Sequence, residues 1–141
     1  MPEPTTPPPP GIPVRIAHVA LWTRDLDRSV AFWTRHFAAT PGAAYHSARR
    51  PGFVSRFLTL GAGPTLELMT APWLCDCDKA GAEHPGWAHI ALSLGSEAAV
   101  RQRAAQLAAT DALVSPPRHT GDGYFEAVLR DPDGNLIEIT A

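Results

Sequence analysis

Cysteine is scarce in this chain, where Cys75 and Cys77 are the whole supply. One intervening residue is too short a spacing for an ordinary disulfide, and there is no second pair to complete a zinc site. The two read as reduced thiols in a loop, with an accessory metal site involving Asp76, Asp78 or His84 as the sharper alternative. Long apolar runs are also missing. None approaches the roughly 20 residues needed to cross a bilayer, so no membrane partner is expected. Charge is sparse, at 18% of residues with a formal net charge of −2, and no basic stripe or block stands out. Phosphate binding needs clustered Lys and Arg, so nucleic acid is not an expected partner either. The opening MPEPTTPPPPGIP has neither the charged nor the apolar region of a signal peptide, and a cytoplasmic location is expected from it.

Proline is plentiful but unevenly spread. Pro7 to Pro10 favour an extended conformation with no face to bury, so residues 1–13 read as a disordered tail. Hydrophobic residues make up 45% of the 141-residue chain, enough for the core of one ordinary domain or of two half-size modules.

The remainder repeats itself at an offset of 71. Ala17-His18-Val19-Ala20-Leu21 maps onto Ala88-His89-Ile90-Ala91-Leu92, Gly52-Phe53 onto Gly123-Tyr124, and Glu67-Leu68 onto Glu138-Ile139. One constant offset across this span indicates an internal duplication, and two copies suggest a pseudo-symmetric domain rather than a solenoid. Residues 14–70 form the first module, 71–86 a linker, and 87–141 the second module. In the first, 14–21 reads as a strand, and Asp25 to Ser29 offer a helix start. Val30, Phe32, Trp33 and Phe37 continue at mostly helical spacing. A weak strand is expected at 43–49, and stronger ones at 53–60 and 64–70. In the second, a strand at 87–94 leads to Ser96 as N-cap and a helix through Ala109. Strands are expected near 112–116, 123–130 and 134–140, the last two joined by Asp131-Pro132-Asp133-Gly134-Asn135, a turn-forming run. The fold class is therefore α+β, built from paired βαβββ modules.

The chemistry lies in where His and Glu fall within the repeat. His18 precedes Glu67 by 49 residues (67 − 18), and His89 precedes Glu138 by the same 49 (138 − 89). Each module offers one His on its first strand and one Glu on its last, all four flanked by apolar residues. A lone strand His is often structural, and a strand Glu often faces solvent. Four symmetry-matched occurrences point instead to a shared divalent ion, which would satisfy carboxylates that are otherwise costly to bury.

The stretches AHVALWTRDLDRSVAFW, FLTLGAGPTLELM, GWAHIALSLGS and GDGYFEAVLRDPDGNLIEIT resemble the vicinal oxygen chelate superfamily, which includes glyoxalase I, extradiol dioxygenases and the fosfomycin and bleomycin resistance proteins. The likeness covers residues 14–141. LELM, AHIALS and TGDGY are similar to a glyoxalase-like bacterial branch of mostly unassigned activity. The resemblance implies paired modules forming a curved mixed sheet around one divalent metal per site, held by His18, Glu67, His89 and Glu138. It also implies a homodimer and a small-molecule substrate. Fe(II) is favoured, with Ni, Zn, Co or Mn as alternatives. Glu67 or Glu138 would serve as the catalytic base. Trp22, Phe53, Phe57, Trp73, Tyr124 and His119 would line the substrate cup, with Trp87 and Phe125 beside them.

Two enzymatic readings follow. An aromatic-rich cup suits a flat substrate, and two His plus a carboxylate suit an Fe(II) oxygenase tailoring an aromatic metabolite. The complete His-Glu-His-Glu set is the glyoxalase I pattern and suits a Ni or Zn isomerase or lyase. In bacterial glyoxalase I an Arg lies four residues after the first His ligand. Trp22 stands there in this chain, which speaks against glutathione unless Arg24, Arg56 or Arg118 substitutes. A resistance-type protein that sequesters a drug is the non-enzymatic alternative.

Overall fold

The computed structural model describes residues 15–75, 85 and 87–141. The proline-rich tail, Asp76, Cys77, Asp78 and His84 lie outside the described residues, so the tail and accessory-site expectations are not addressed by it. The first module comprises β1 (His18–Trp22), α1 (Leu26–Phe37), β2 (Thr40–Pro41), β3 (Tyr45–His46), β4 (Val54–Thr59) and β5 (Thr65–Thr70). The second comprises β6 (Ile90–Ser93), α2 (Glu97–Leu107), β7 (Leu113–His119), β8 (Phe125–Arg130) and β9 (Leu136–Thr140).

The helices start where their caps dictate. The Asp25 carboxylate accepts the Arg28 N–H at 2.9 Å, and the Ser96 hydroxyl oxygen accepts the Ala99 N–H at 3.1 Å. The first helix ends on Ala38, which takes the left-handed conformation at φ 52° and donates its N–H toward the turn before it. Helix α2 stops at Leu107, two residues before the expected end. The strand expected at 43–49 is only the two-residue β3 against β4, and a second short pairing, β2, lies just ahead of that segment. Strand β6 begins at Ile90, so His89 stands just ahead of it rather than inside it. Strand β7 runs on to His119 despite Pro116 and Pro117, and its register shifts on the way. It is the edge strand of its sheet, the place where proline is tolerated.

Each module makes its own mixed sheet, ordered β1-β5-β4-β2 with β3 also on β4, and β6-β9-β8-β7. In both, the first strand lies parallel to the last, and the remaining pairings are antiparallel. Strand alternation sends Leu66, Leu68, Leu58, Ile137, Ile139 and Leu129 to one face, where they are buried. Val30 and Trp33 of α1 and Val100, Ala104 and Leu107 of α2 complete the same apolar cluster. The modules touch through the Arg24 N–H, which donates to Asp133 at 2.9 Å, and through the Arg103 guanidinium lying 5.9 Å over the Phe37 ring.

The β8–β9 turn forms as its sequence requires. The Asp131 carboxylate accepts N–H groups from Asp133 and Asn135 at 3.0 and 2.8 Å. Burial pushes its carboxyl above the usual range, with the Asn135 and Asp133 hydrogen bonds pulling the other way.

Two core substitutions should separate packing from polarity. Trp33 is fully buried, and Trp33→Ala is expected to cost about 3–5 kcal/mol in urea unfolding. Ser29 is equally buried, yet its hydroxyl has no hydrogen-bond partner among the described residues. Ser29→Ala is therefore expected to leave stability unchanged or to raise it.

Candidate metal centre

The first and last strands of each module are neighbours in register, with Ala20 opposite Glu67 and Ala91 opposite Glu138. The His lies two residues earlier on the same face, so imidazole and carboxylate meet diagonally across the pair. His18 Nε2 lies 3.6 Å from Glu67 Oε2, and His89 Nε2 lies 3.2 Å from Glu138 Oε2. The carboxylate side chains are only 16% and 18% exposed, whereas the imidazoles are 46% and 41% exposed. Each half thus has a largely desolvated acid beneath an accessible base, on the sheet face away from the helices.

The donors fit a metal. An ion about 2.1 Å from an imidazole nitrogen and a carboxylate oxygen at right angles holds the two about 3 Å apart. Both halves use the same atom pair at close to that spacing. The four residues do not converge within one chain, because no group of three or more His, Cys, Asp or Glu forms a metal-holding cluster among the described residues. The chain carries two separate His–Glu pairs, one beside each sheet.

The halves differ in what lies behind them. Glu67 faces Phe57 across the β4–β5 pair, and the Phe57 ring meets the His18 ring edge-on at 5.4 Å. Glu138 has a second acid beside it. Glu126 of β8 is buried on the same face, and its Oε1 lies 3.6 Å from Arg118 Nη2. Arg118 also donates to Ser115 Oγ at 2.6 Å. Burial, then the hydrogen bond and charge of Glu138, hold the Glu126 carboxyl above the usual range, only partly offset by Arg118. Sequence symmetry passes over this residue because its counterpart at the 71-residue offset is Ser55. A polar residue alternating within FEAVL was the available signal.

The aromatic residues expected around the cup divide. Trp22 shares the face of His18, and its ring meets Phe53 edge-on at 6.0 Å. Phe57 and Trp73 are also exposed on the first module. Tyr124 is exposed ahead of β8, and Trp87 is fully exposed ahead of His89. Phe125 belongs to the core, with Arg101 of α2 lying 4.5 Å over its ring. His119 is not brought to the carboxylates. It pairs in register with Phe125, so strand alternation turns it to the helix side, where its Nε2 lies 3.7 Å from Glu97. Of the three arginines considered as anion anchors, Arg118 alone shares the face of a candidate ligand. Arg56 donates to the Gly42 carbonyl at 2.9 Å from the opposite face, and Arg24 lies in the turn before α1.

Two similar α+β modules, each pairing its first strand parallel to its last and setting a His at the start of one against a Glu on the other, define a duplicated fold with a candidate metal-binding face. A family-level sequence model for the Glyoxalase/Bleomycin resistance protein/Dioxygenase superfamily matches residues 15–139, and the chain belongs to that superfamily. Among solved structures, it is similar to a glyoxylase/bleomycin resistance protein/dioxygenase domain from Frankia sp. The TM-score is 0.74 at 20% identity, covering 92% of this chain and 98% of that one. It is also similar to the trypanothione-dependent glyoxalase I of Leishmania major, at TM-score 0.69 and 22% identity over 91% of this chain and 86% of that one. Glyoxalase I from Zea mays matches at TM-score 0.68 and 20% identity, over 89% of this chain and 44% of that one. At these identities the likeness shows the fold. A search of curated proteins finds no match. Members of the superfamily generally bind a divalent metal and a small molecule and often form dimers.

Burial of Glu126, with Glu138 beside it, predicts a pH effect on the metal-free protein. A carboxyl whose folded pKa is raised stabilises fully below its unfolded pKa, and that contribution is lost as pH rises through the folded value. Glu126→Gln removes this loss. Its Tm is therefore expected to exceed the wild type's at pH 8, with the gain vanishing near pH 4. A gain of the same size at both pH values would mean that the Glu126 carboxyl is not held above its usual range.

Proposed function

We propose that this chain is a mononuclear divalent-metal enzyme whose complete centre forms between two copies. The His18/Glu67 half of one copy would meet the His89/Glu138 half of the other. The observation that carries this reading is the pair of equivalent Nε2···Oε2 contacts, 3.6 and 3.2 Å, on separate sheets. Strand β1, which carries His18, and strand β6, which His89 immediately precedes, are sheet edges among the described residues and offer a side to a neighbour. A second copy would cover those edges and close the curved sheet around the ion.

Bound there, the ion would supply Lewis acidity toward adjacent substrate oxygens and, as Fe(II), the redox chemistry of an oxygenase. The protein's own groups have separable tasks. His18 and His89 would be neutral nitrogen donors. Glu67 and Glu138 would complete the donor set, and either could take a proton from a substrate carbon or hydroxyl beside it. Arg118, paired with Glu126, would offset the second negative charge beside Glu138. Trp22, Phe53, Phe57 and Trp73 would form an apolar wall that excludes water and orients a flat ligand. The leading assignment is an Fe(II)-dependent oxygenase acting on an oxygenated aromatic or enolisable small molecule. A glyoxalase-type isomerase or lyase using Ni or Zn is the second reading. It is favoured by the carboxylate retained in both halves, since four protein donors leave two positions on a six-coordinate ion for substrate oxygens.

Metal analysis of mixed dimers tests the shared centre. Chains bearing H18A/E67A and chains bearing H89A/E138A should each retain no metal as homodimers. Co-expressed with different tags and purified as the heterodimer, they are expected to regain one intact centre, half the wild-type metal content. No recovery in a heterodimer that forms would place each centre within one chain. Iron in anaerobically purified wild type, with oxygen uptake on polyphenols, would support the oxygenase. Nickel or zinc with hemithioacetal turnover would support the isomerase. A wild type that retains none of the added ions would leave a small-molecule binding protein.

A further inference from the structure

The wall beside His18 ends in a clamped cation. The Arg50 guanidinium lies 5.3 Å from the Phe53 ring centre and 4.7 Å from that of Trp73. Phe53 in turn meets Trp22 edge-on, and Tyr45 packs against Phe53 at 6.5 Å. Stacking on ring faces holds the guanidinium in place while its in-plane N–H donors stay available.

The loop that carries Arg50 is tied at several points. Its N–H donates to Ser47 Oγ at 3.1 Å and its carbonyl accepts the Phe53 N–H at 3.0 Å, while the Ser47 N–H donates to the Phe53 carbonyl at 3.1 Å. Gly52, at φ +90°, lets the loop dock on the segment before Trp73. A Cβ there would lie 2.8 Å from Pro72 ring carbons. The close approach thus joins the two halves of the clamp. No acidic side chain pairs with Arg50 among the described residues. The feature belongs to the first module alone, since the equivalent position in the second is Gly121.

We propose that Arg50, held between Phe53 and Trp73, is a specificity residue that selects planar aromatic ligands bearing a carboxylate. The inference rests on the reading that the His18/Glu67 face receives the substrate, and it adds the substrate's charge. His18 and Trp22 share a strand face four residues apart, a span of about 13 Å. A ligand of two or three fused rings would lay its flat body along Phe57 and Trp22. Its carboxylate would reach the Arg50 donors in a two-point contact, and its oxygenated end would reach the His18/Glu67 pair.

The test compares 2-naphthoate with its neutral isostere 2-naphthamide, by ligand-observed NMR titration of the full chain as purified and again after chelator treatment. Wild type is expected to prefer the naphthoate by about tenfold or more, the worth of one charge-assisted hydrogen bond. Arg50→Gln should weaken the naphthoate more than the naphthamide and bring the two probes to parity, and Arg50→Lys should fall between. The side chain is exposed, so the fold should tolerate both changes. Equal affinities in wild type, no binding of either probe, or a preference that survives Arg50→Gln would overturn the proposal. Metal content measured on the same samples keeps the two readings distinct. A wild type without metal leaves the naphthoate comparison intact, and parity of the probes leaves the metal result intact.

Discussion

Everything at the candidate centre depends on the parallel pairing of each module's first and last strands. A strand repeats its facing every second residue, so one register decides which polar groups share a face. With Ala20 opposite Glu67 and Ala91 opposite Glu138, each imidazole falls diagonally across from a carboxylate. A one-residue slip would turn Glu67 and Glu138 toward the helices and bring Leu66 or Ile137 out into solvent. The apolar residues that alternate with the acids therefore hold the acids in place, and burial of Leu66, Leu68, Ile137 and Ile139 maintains the two His–Glu pairs.

The two halves share a design and diverge in detail. The first backs its Glu with aromatic rings and ends in the Arg50 clamp. The second backs its Glu with Glu126, Arg118 and Ser115. Joined across two copies, they would place an apolar wall with one terminal cation opposite a polar wall of paired charges. Such asymmetry orients a flat ligand that has a charged end and an oxygenated end, because each end has one favourable neighbour.

Much of the fold was legible because the duplication doubled every signal. Asp25 and Ser96 cap the helices as their types suggest, and Asp131 to Asn135 forms the turn its residues specify. The misses have local causes. The 43–49 segment carries too few apolar residues to specify a continuous strand, and β4 pairs with it only at Tyr45 and His46. His119 was expected at the cup from its place before TGDGY. Alternation along β7, with two register shifts, turned it toward Glu97 instead. Arg50 sits in a loop with no periodicity, so nothing along the chain marked it.

By itself, the sequence determined the family, the module order and the four candidate ligands. A 71-residue repeat with His and Glu at matched spacings survives any detail of packing. Tertiary structure alone decided that those ligands form two pairs on separate sheets, that Glu138 has an acidic neighbour, and that Arg50 lies between two rings. The physical reason is range. Periodicity and spacing encode which face a residue takes within its own strand or helix. Contacts across strands and loops depend on register, on a close approach such as Gly52 against Pro72, and on which edges remain uncovered.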